Sequence, residues 1–457
     1  MNQEFLIKEL LFRIAQLEKK VLALEGLEKE NAYLRERLAK YETPKNSRNS
    51  SVPPSKDENR PQRNKSLRLK SNKHVGGQQG HEGAYLSIRE NPDKIETYIP
   101  CYCNLCGADL SNVPEEFAEK RQIIDLPVIV PVCVEHRSYQ KQCHCGYITK
   151  SPFPSSVKHP VQYGTNTEVM ISYLHTRQYL SFNRIQEFLN DVYGLPLSEG
   201  GVHCLLKRFT EKAFPVYEEI KKRIYHSEVV GTDETGVKVN GKKHWFWSWQ
   251  NKQLTFIVHS ANRGIATIQH VFEKGLPNSI LNHDRWASHF HCKCKGNQIC
   301  TSHLQRDFIY LEELYKSKWA TSMNNLILQA LELKKQMLPK DYRMPNEIRG
   351  SLEEKLSELL EYPIEPTHKK AITLQKNLLK KRDCILLFLY HLKVSPDNNG
   401  TERSIRNVKV KQKVSGQFKS EKGAQMYAIN RSVIDTIIKS RQNVLDGLAL
   451  IANFVSD

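Results

Sequence analysis

The chain has 457 residues, 39% hydrophobic, 26% charged and 9% aromatic, with a formal net charge of +18. At about 150 residues per domain, three domains and a core of useful size are expected. A basic excess this large favours an acidic partner, nucleic acid ahead of an anionic membrane surface. No apolar run approaches the roughly 18–20 residues of a membrane span. The first apolar residues are interleaved with charges, unlike a signal peptide. Secretion and membrane insertion are therefore not expected, and the 11 cysteines read as metal ligands or core residues rather than disulfides.

In residues 1–43, Ile7, Leu10, Ile14, Leu17, Val21 and Leu24 alternate in steps of three and four. Leu27, Asn31, Leu34, Leu38 and Tyr41 continue the series after one phase slip. That heptad predicts a self-associating coiled coil with Asn31 as a polar seam residue. The alternative is one amphipathic helix packed on its own domain. Residues 44–92 change character. Between Lys45 and Lys73, nine Lys or Arg stand against two acids, Asp57 and Glu58, and prolines break any helix. This is a basic linker whose Lys45, Arg48, Lys56, Arg60, Arg63 and Lys65 can lie along DNA phosphates, or merely solubilise a tether. The glycine run from Gly76 to Gly83 follows no strand, so a nucleotide-binding loop is not expected.

Residues 93–155 carry Cys103-x-x-Cys106-Gly107 and Cys143-x-Cys145-Gly146. Two thiolate knuckles about 40 residues apart suit one tetrahedral structural zinc in a small β-rich module. Glycine after each knuckle permits the tight turn that aims backbone amides at sulfur. Cys101, His136 and His144 are spare ligands nearby. Residues 156–226 are helical in period, with Ser181 and Ser198 as N-caps. Two helices about Tyr193–Pro196 fit either a helix-turn-helix, and so a DNA-binding domain, or plain packing.

From residue 227 the pattern changes to strands. A β-branched run ends in Asp233-Glu234, an Asn240-Gly241 hairpin follows, and Trp245, Trp247 and Trp249 alternate along the next strand. A third strand, a helix over 263–274 and a fourth strand ending in His283-Asp284 come next. Much later Asn398-Asn399-Gly-Thr-Glu402-Arg403 opens a helix. That order is the order of a ribonuclease H-like fold, in which the first and fourth strands are neighbours. Three hard oxygen ligands with open positions suit two Mg²⁺ ions, although isolated acids are more often only solvated. Glu234 belongs on the opposite strand face from Asp233. Residues 308–384 read as a helical insertion, 374–392 as a buried helix, and 428–457 as a C-terminal helical tail. The whole is a multidomain α/β chain with α-helical parts.

The ordered blocks resemble the transposases of the insertion sequence 66 family, bacterial mobile elements with a DDE catalytic domain. The resemblance rests on Asn49–Asp57, the glycine run, both cysteine knuckles, Thr232–Thr235, Asp284-Arg285, Cys300-x-x-His303-x-x-Arg306-Asp307 and Asn398-Asn399-x-x-Glu402-Arg403. It implies an acid triad of Asp233, Asp284 and Glu402 holding two Mg²⁺ or Mn²⁺, with cleavage at element ends and strand transfer into target DNA. It also implies a cytoplasmic, nucleoid-associated protein, double-stranded DNA as partner, a homodimer or higher assembly, and accessory proteins of the same element.

His303 can orient a carboxylate or contact the scissile phosphate, and Arg306 can clamp a phosphate oxygen. A packed Cys300–His303 pair is the plainer alternative. Arg403 and Arg406 can lie along DNA. The second knuckle is tighter than the family pattern, and Cys292, Cys294, Cys300 and His303 are candidates for a second metal site. The competing function is a zinc-containing dimeric DNA-binding regulator, which leaves the three acids without a role.

Overall fold

The computed structural model describes residues 3–42, 44–46, 49, 50, 57, 58, 86–127, 129–344 and 346–454. Arg48, Lys56, Arg60, Arg63, Lys65 and the glycine run lie outside them. The chain divides into two compact units, residues 62–132 and residues 1–61 with 133–457. The boundary falls inside the 93–155 segment.

In the smaller unit, the Cys103 N–H donates to Ala108 O at 2.8 Å and the Gly107 N–H to Cys103 O at 2.9 Å. Gly107 has φ +73°. In the larger unit β1 (Gln140–Gln142) and β2 (Ile148–Lys150) form a hairpin around Cys143 and Cys145. There the Gly146 N–H donates to Cys143 O at 2.9 Å, with Gly146 at φ +86°. Among the described residues of 93–155, these two three-residue strands and one Tyr102–Asp109 bridge are the only β-structure. The segment is not β-rich, because nearly all its residues are exposed and no apolar core is present to hold a sheet.

The larger unit begins with α1 (Gln3–Glu42). Leu10, Ile14, Leu17, Val21, Leu24, Leu34 and Leu38 of its heptad series are all at least half exposed. Among the described residues no helix is long and apolar enough to cross a membrane.

Five strands make the central sheet: β3 (Val229–Val239), β4 (Lys242–Gln250), β5 (Thr255–Ser260), β6 (Leu276–His283) and β7 (Cys294–Ile299). Their order is β5-β4-β3-β6-β7. The first three are antiparallel, and β3–β6 and β6–β7 are parallel. Asn240 and Gly241 both have positive φ, as the β3–β4 hairpin requires. The sequence pattern predicts no strand at β7. Cys294-Lys-Gly-Asn-Gln-Ile has little strand propensity, and its pairing with β6 is what makes it a strand.

Around the sheet lie α2 (Thr165–Ser172), α3 (Phe182–Tyr193), α4 (Glu199–Tyr225), α5 (Ile265–Val271), α6 (Ala287–Phe290) and α7 (Thr301–Tyr315). Then follow α8 (Lys318–Gln336), α9 (Glu347–Glu361), α10 (Lys369–Leu379), α11 (Asn399–Ser415), α12 (Glu421–Lys439) and α13 (Val444–Asn453). Ser181 and Ser198 cap α3 and α4, accepting from Arg184 N and Gly201 N. One sheet face packs Trp247, Trp249 and Phe256 against α4, α12 and α13. The tryptophan alternation is therefore core packing. The other face packs Phe246 and Ile257 with Val408 of α11 and Tyr427 of α12.

The C-terminal helices are thus built into the core. They also close the sheet edge: the Ile257 N–H donates to Ser432 Oγ at 2.8 Å, and the Thr255 N–H to Thr436 Oγ1 at 3.2 Å. Helices α7 to α10 share a core with Phe388, Leu389 and, from β6 and β7, Ile280 and Ile299. Residues 374–392 are not one helix. α10 stops at Leu379, and two 3₁₀ turns follow, Arg382–Cys384 and Leu387–Leu389. Gln298 of β7 holds these turns by accepting from the Phe388 N–H at 2.7 Å and donating to Ile385 O at 3.0 Å.

Helix α11 docks on β3 through a close approach. A Cβ on Gly231 would lie 2.4 Å from Thr401 Oγ1 and 2.7 Å from Asn398 Oδ1. Asn398 has little room to yield, because its Nδ2 donates to Thr232 O at 2.8 Å. We expect Gly231→Ala to destabilise the protein by about 1–3 kcal/mol through overpacking. A chemical denaturation curve would show this as a lower midpoint at unchanged slope.

Candidate active site

The β3–β6 register pairs Val229 with Ile280 and Gly231 with Asn282. Continued by two residues, it sets Asp284, directly after the end of β6, opposite Asp233 within the neighbouring β3. Asp233 pairs across β4 with Ser248, whose hydroxyl bonds Ser404 of α11 at 2.8 Å. That places Asp233 on the α11 face. Glu234 pairs with Trp247 and lies on the other face. Helix α11 is pinned by Asn398 and by Gln250 Nε2 donating to Thr401 Oγ1 at 3.2 Å, which brings Glu402 over the strand ends.

The charges report the convergence. Burial first, then the negative charges of Asp284 and Glu234, push the Asp233 carboxyl well above its ordinary range, and Glu402 adds to the shift. At Asp284, burial also pushes upward, but His289, the Trp286 amide, His303 and His283 outweigh it and hold the carboxyl low. Two acids in one pocket are thus driven apart, as like charges sharing a site require. Glu402 Oε1 is buried with no hydrogen-bond partner. A half-buried cluster of carboxylates with an unsatisfied oxygen fits hard divalent cations.

Among the described residues, the one tight group of three metal-ligating side chains is Cys300, His303 and Glu402, all within 4.8 Å. His303 Nδ1 stands 3.9 Å from Glu402 Oε1, and burial chiefly keeps the imidazole below its ordinary value, hence neutral at pH 7. Cys300 is fully buried, accepts from the Asn398 N–H at 3.2 Å, and has its thiol pushed up by burial. The proposed grouping of Cys292, Cys294, Cys300 and His303 does not form. Cys294 opens β7 and Cys300 follows its last residue, so roughly 20 Å of strand separates them. Arg306 perturbs His303 electrostatically. Arg403 is exposed, and Arg406 pairs with Glu402 at 3.3 Å.

The family model described as Transposase IS66 family matches residues 160–426, more than half of the chain. The chain belongs to the IS66 transposase family. The match spans the sheet, α11 and all three acids of this IS66-family chain. A second model, Family of unknown function (DUF6444), matches residues 2–87. The cysteine knuckles fall between the two matches. No curated protein matches the chain.

Several residues that build the site escape sequence reasoning. His289 Nε2 lies 3.1 Å from Glu234 Oε2 and 3.9 Å from Asp284 Oδ1. Glu234 is in turn held by Arg263 at 2.8 Å, whose guanidinium covers the Trp286 ring at 3.8 Å. Arg285 adopts φ +78° and pairs with Asp307, fixing the backbone directly after Asp284. Lys411 of α11 is buried. Its Nζ donates to Leu180 O at 2.8 Å and His175 O at 3.2 Å. Burial lowers its pKa to about 7.

Asp233 gives a signed pH test. A carboxyl raised in the folded state adds stability in its protonated form, and that stability is lost as pH rises from its unfolded value toward the folded one. With divalent ions chelated, Asp233→Asn should match the wild type near the ordinary value of 3.8 and become the more stable protein as pH rises. Thermal melts across pH 4–8 would check this, and parallel curves at every pH would refute it.

Proposed function

We propose that this chain is a DDE-type polynucleotidyl transferase with a ribonuclease H-like core, cutting DNA at element ends and joining the freed ends to target DNA. The observation that carries the reading is the meeting of carboxylates from β3, β6 and α11 in one half-buried pocket, where burial and then their charges raise Asp233. The strand order, with the first and fourth strands adjacent, supports the same fold. Asp233, Asp284 and Glu402 would hold two Mg²⁺ or Mn²⁺ ions. When bound, such ions supply Lewis-acid activation of water or a 3′-hydroxyl and neutralise charge on the leaving oxygen.

The chain's own residues do the positioning. Asn398, Thr401 and Gly231 set Glu402 against the strands. Arg263, Glu234 and His289 keep Asp284 ionised and oriented from behind, as outer-shell partners do. His303, neutral and facing Glu402, can orient that carboxylate, and Arg306 beside it can meet a phosphate oxygen. Arg403 and Arg406 extend a basic face along α11, Arg406 exchanging Glu402 for a phosphate.

The cysteine pairs are read as structural zinc ligands. In the Cys103–Cys106 knuckle the Cys106 and Leu105 amides lower the Cys103 thiol, and in the Cys143–Cys145 knuckle the Cys145 amide and thiol lower Cys143. Amides aimed at sulfur are what a thiolate ligand needs. Helix α1, with its apolar seam exposed, is read as a coiled coil joining protomers, and residues 44–92, with Lys45 the one described member of the basic set, as a DNA-contacting linker. A regulator that only binds DNA has no use for the buried acids.

The test is a plasmid mobilisation assay with the gene in its native flanking DNA. Glu402→Ala is expected to reduce mobility to background, and Glu234→Gln to lower it by about 10–100-fold as an outer-shell change. Wild-type mobility in Glu402→Ala would remove the triad. Separately, Leu17→Lys with Leu24→Lys should convert the assembly to monomer in sedimentation if α1 pairs protomers.

A further inference from the structure

A cavity of about 860 Å³ opens beside Asp284, between α6 and α10. Its wall carries Lys45, Arg285, Lys369, Lys370, Lys380 and Lys381. Against these six cations it has two carboxylates, Asp284 and Asp307, and Asp307 is already paired with Arg285. The ammonium groups of Lys45 and Lys370 both approach the Tyr310 ring, at 5.2 and 5.4 Å from its centroid. Lys381 sits 4.2 Å from the Phe290 centroid. Aromatic faces thus hold cations at the cavity wall without neutralising them.

The spacing of the lysines is regular. Lys369 and Lys380 are eleven positions apart, as are Lys370 and Lys381. Lys369 and Lys370 open α10, and Lys380 and Lys381 follow its last residue, Leu379, so the two pairs stand at opposite ends of a helix about 16 Å long. That distance is the rise of about five nucleotides along one DNA strand. A row of cations of this length, beginning where Asp284 ends, matches a polyanion passing through the carboxylate site.

We infer that this cavity receives the sugar–phosphate backbone of the DNA strand leading away from Asp284, with α10 of the helical insertion as its phosphate clamp. The inference rests on the DNA-processing reading above and assigns the insertion a contact that neither motif nor family match supplies. Phosphate contacts carry no sequence information, so the clamp acts on any duplex.

The test uses the full-length protein with divalent ions chelated, a duplex containing an element end, an unrelated duplex, and a salt series read by fluorescence anisotropy. Lys369 and Lys380 are exposed, so Lys369→Ala with Lys380→Ala should leave the fold intact. The plot of log affinity against log salt should lose about 0.9 in slope per phosphate contact removed, hence about 2 for the double variant, on both duplexes. Lys369→Arg with Lys380→Arg should restore the wild-type slope. A wild-type slope in the alanine variant, or a loss confined to one duplex, overturns the clamp. Failure of the wild type to bind either duplex overturns the DNA reading itself.

Discussion

Everything in the larger unit is arranged around one electrostatic conflict. Three carboxylates meet where the end of β6 lies beside the middle of β3 and under a helix, in a pocket where water cannot fully screen them. Burial first and mutual repulsion second weigh against their ionisation, and Asp233 answers by moving well above the ordinary carboxylate range. The fold has to impose this arrangement against its own preference, and it does so with rigid elements. β3 and β6 fix two acids by backbone register. The third arrives on α11, held by the Asn398 clamp and by the absence of a Cβ at Gly231. A loop could not hold such an arrangement, because relaxation by an ångström or two would relieve the repulsion.

The surroundings divide the two strand acids into different states. Asp284 is given imidazole and amide neighbours that hold its carboxyl low even though it is desolvated. Asp233 is given mostly acids. His289 is the joint between the two sheet faces, because it touches Glu234 behind the sheet and approaches Asp284 in front. Arg263 closes that chain, so Glu234 is not a spare acid beside Asp233. It is the buried anchor of a histidine that faces the site. A cation entering the pocket would therefore find one acid ready and one that must give up its proton. Metal affinity should on this ground rise with pH.

Much of this was legible in the residues, and the limits are physical. Asp233 could be located because a β-branched run and an Asn-Gly turn frame it, and Glu402 because a polar cap precedes a helix. Chain order then implied adjacency of the first and fourth strands. β7 was invisible, since Cys294–Ile299 is a strand only by pairing. The helix expected over 374–392 fails because its apolar residues serve two 3₁₀ turns tied to Gln298, a contact across about 90 residues that periodicity cannot express. Arg263, Glu234 and His289 are likewise joined only in space. The burial of Lys411 is hidden for a related reason. Composition puts lysine outside, and only the fold shows the backbone carbonyls that receive it.

Lys411 also shows how the helical segment before the sheet is tied to the site. It stands on α11, nine residues after Glu402, and its ammonium reaches into the carbonyls around the π-helical turn Tyr173–Arg177 that ends α2. Nearby, Tyr179 donates to Asn407 of the same helix at 2.7 Å, and Arg431 of α12 donates to Thr176 O at 3.2 Å while pairing with Asp435. A buried ammonium bonded only to neutral carbonyls is costly to keep charged, as its lowered pKa reflects. Such a contact is tolerable only if the carbonyls stay where they are. Any shift of α2–α4 would strip Lys411 of its partners and disturb the helix that holds Glu402. These helices are therefore mechanically part of the carboxylate site, with α2 and α4 sharing the core of the sheet and α3 packed behind them.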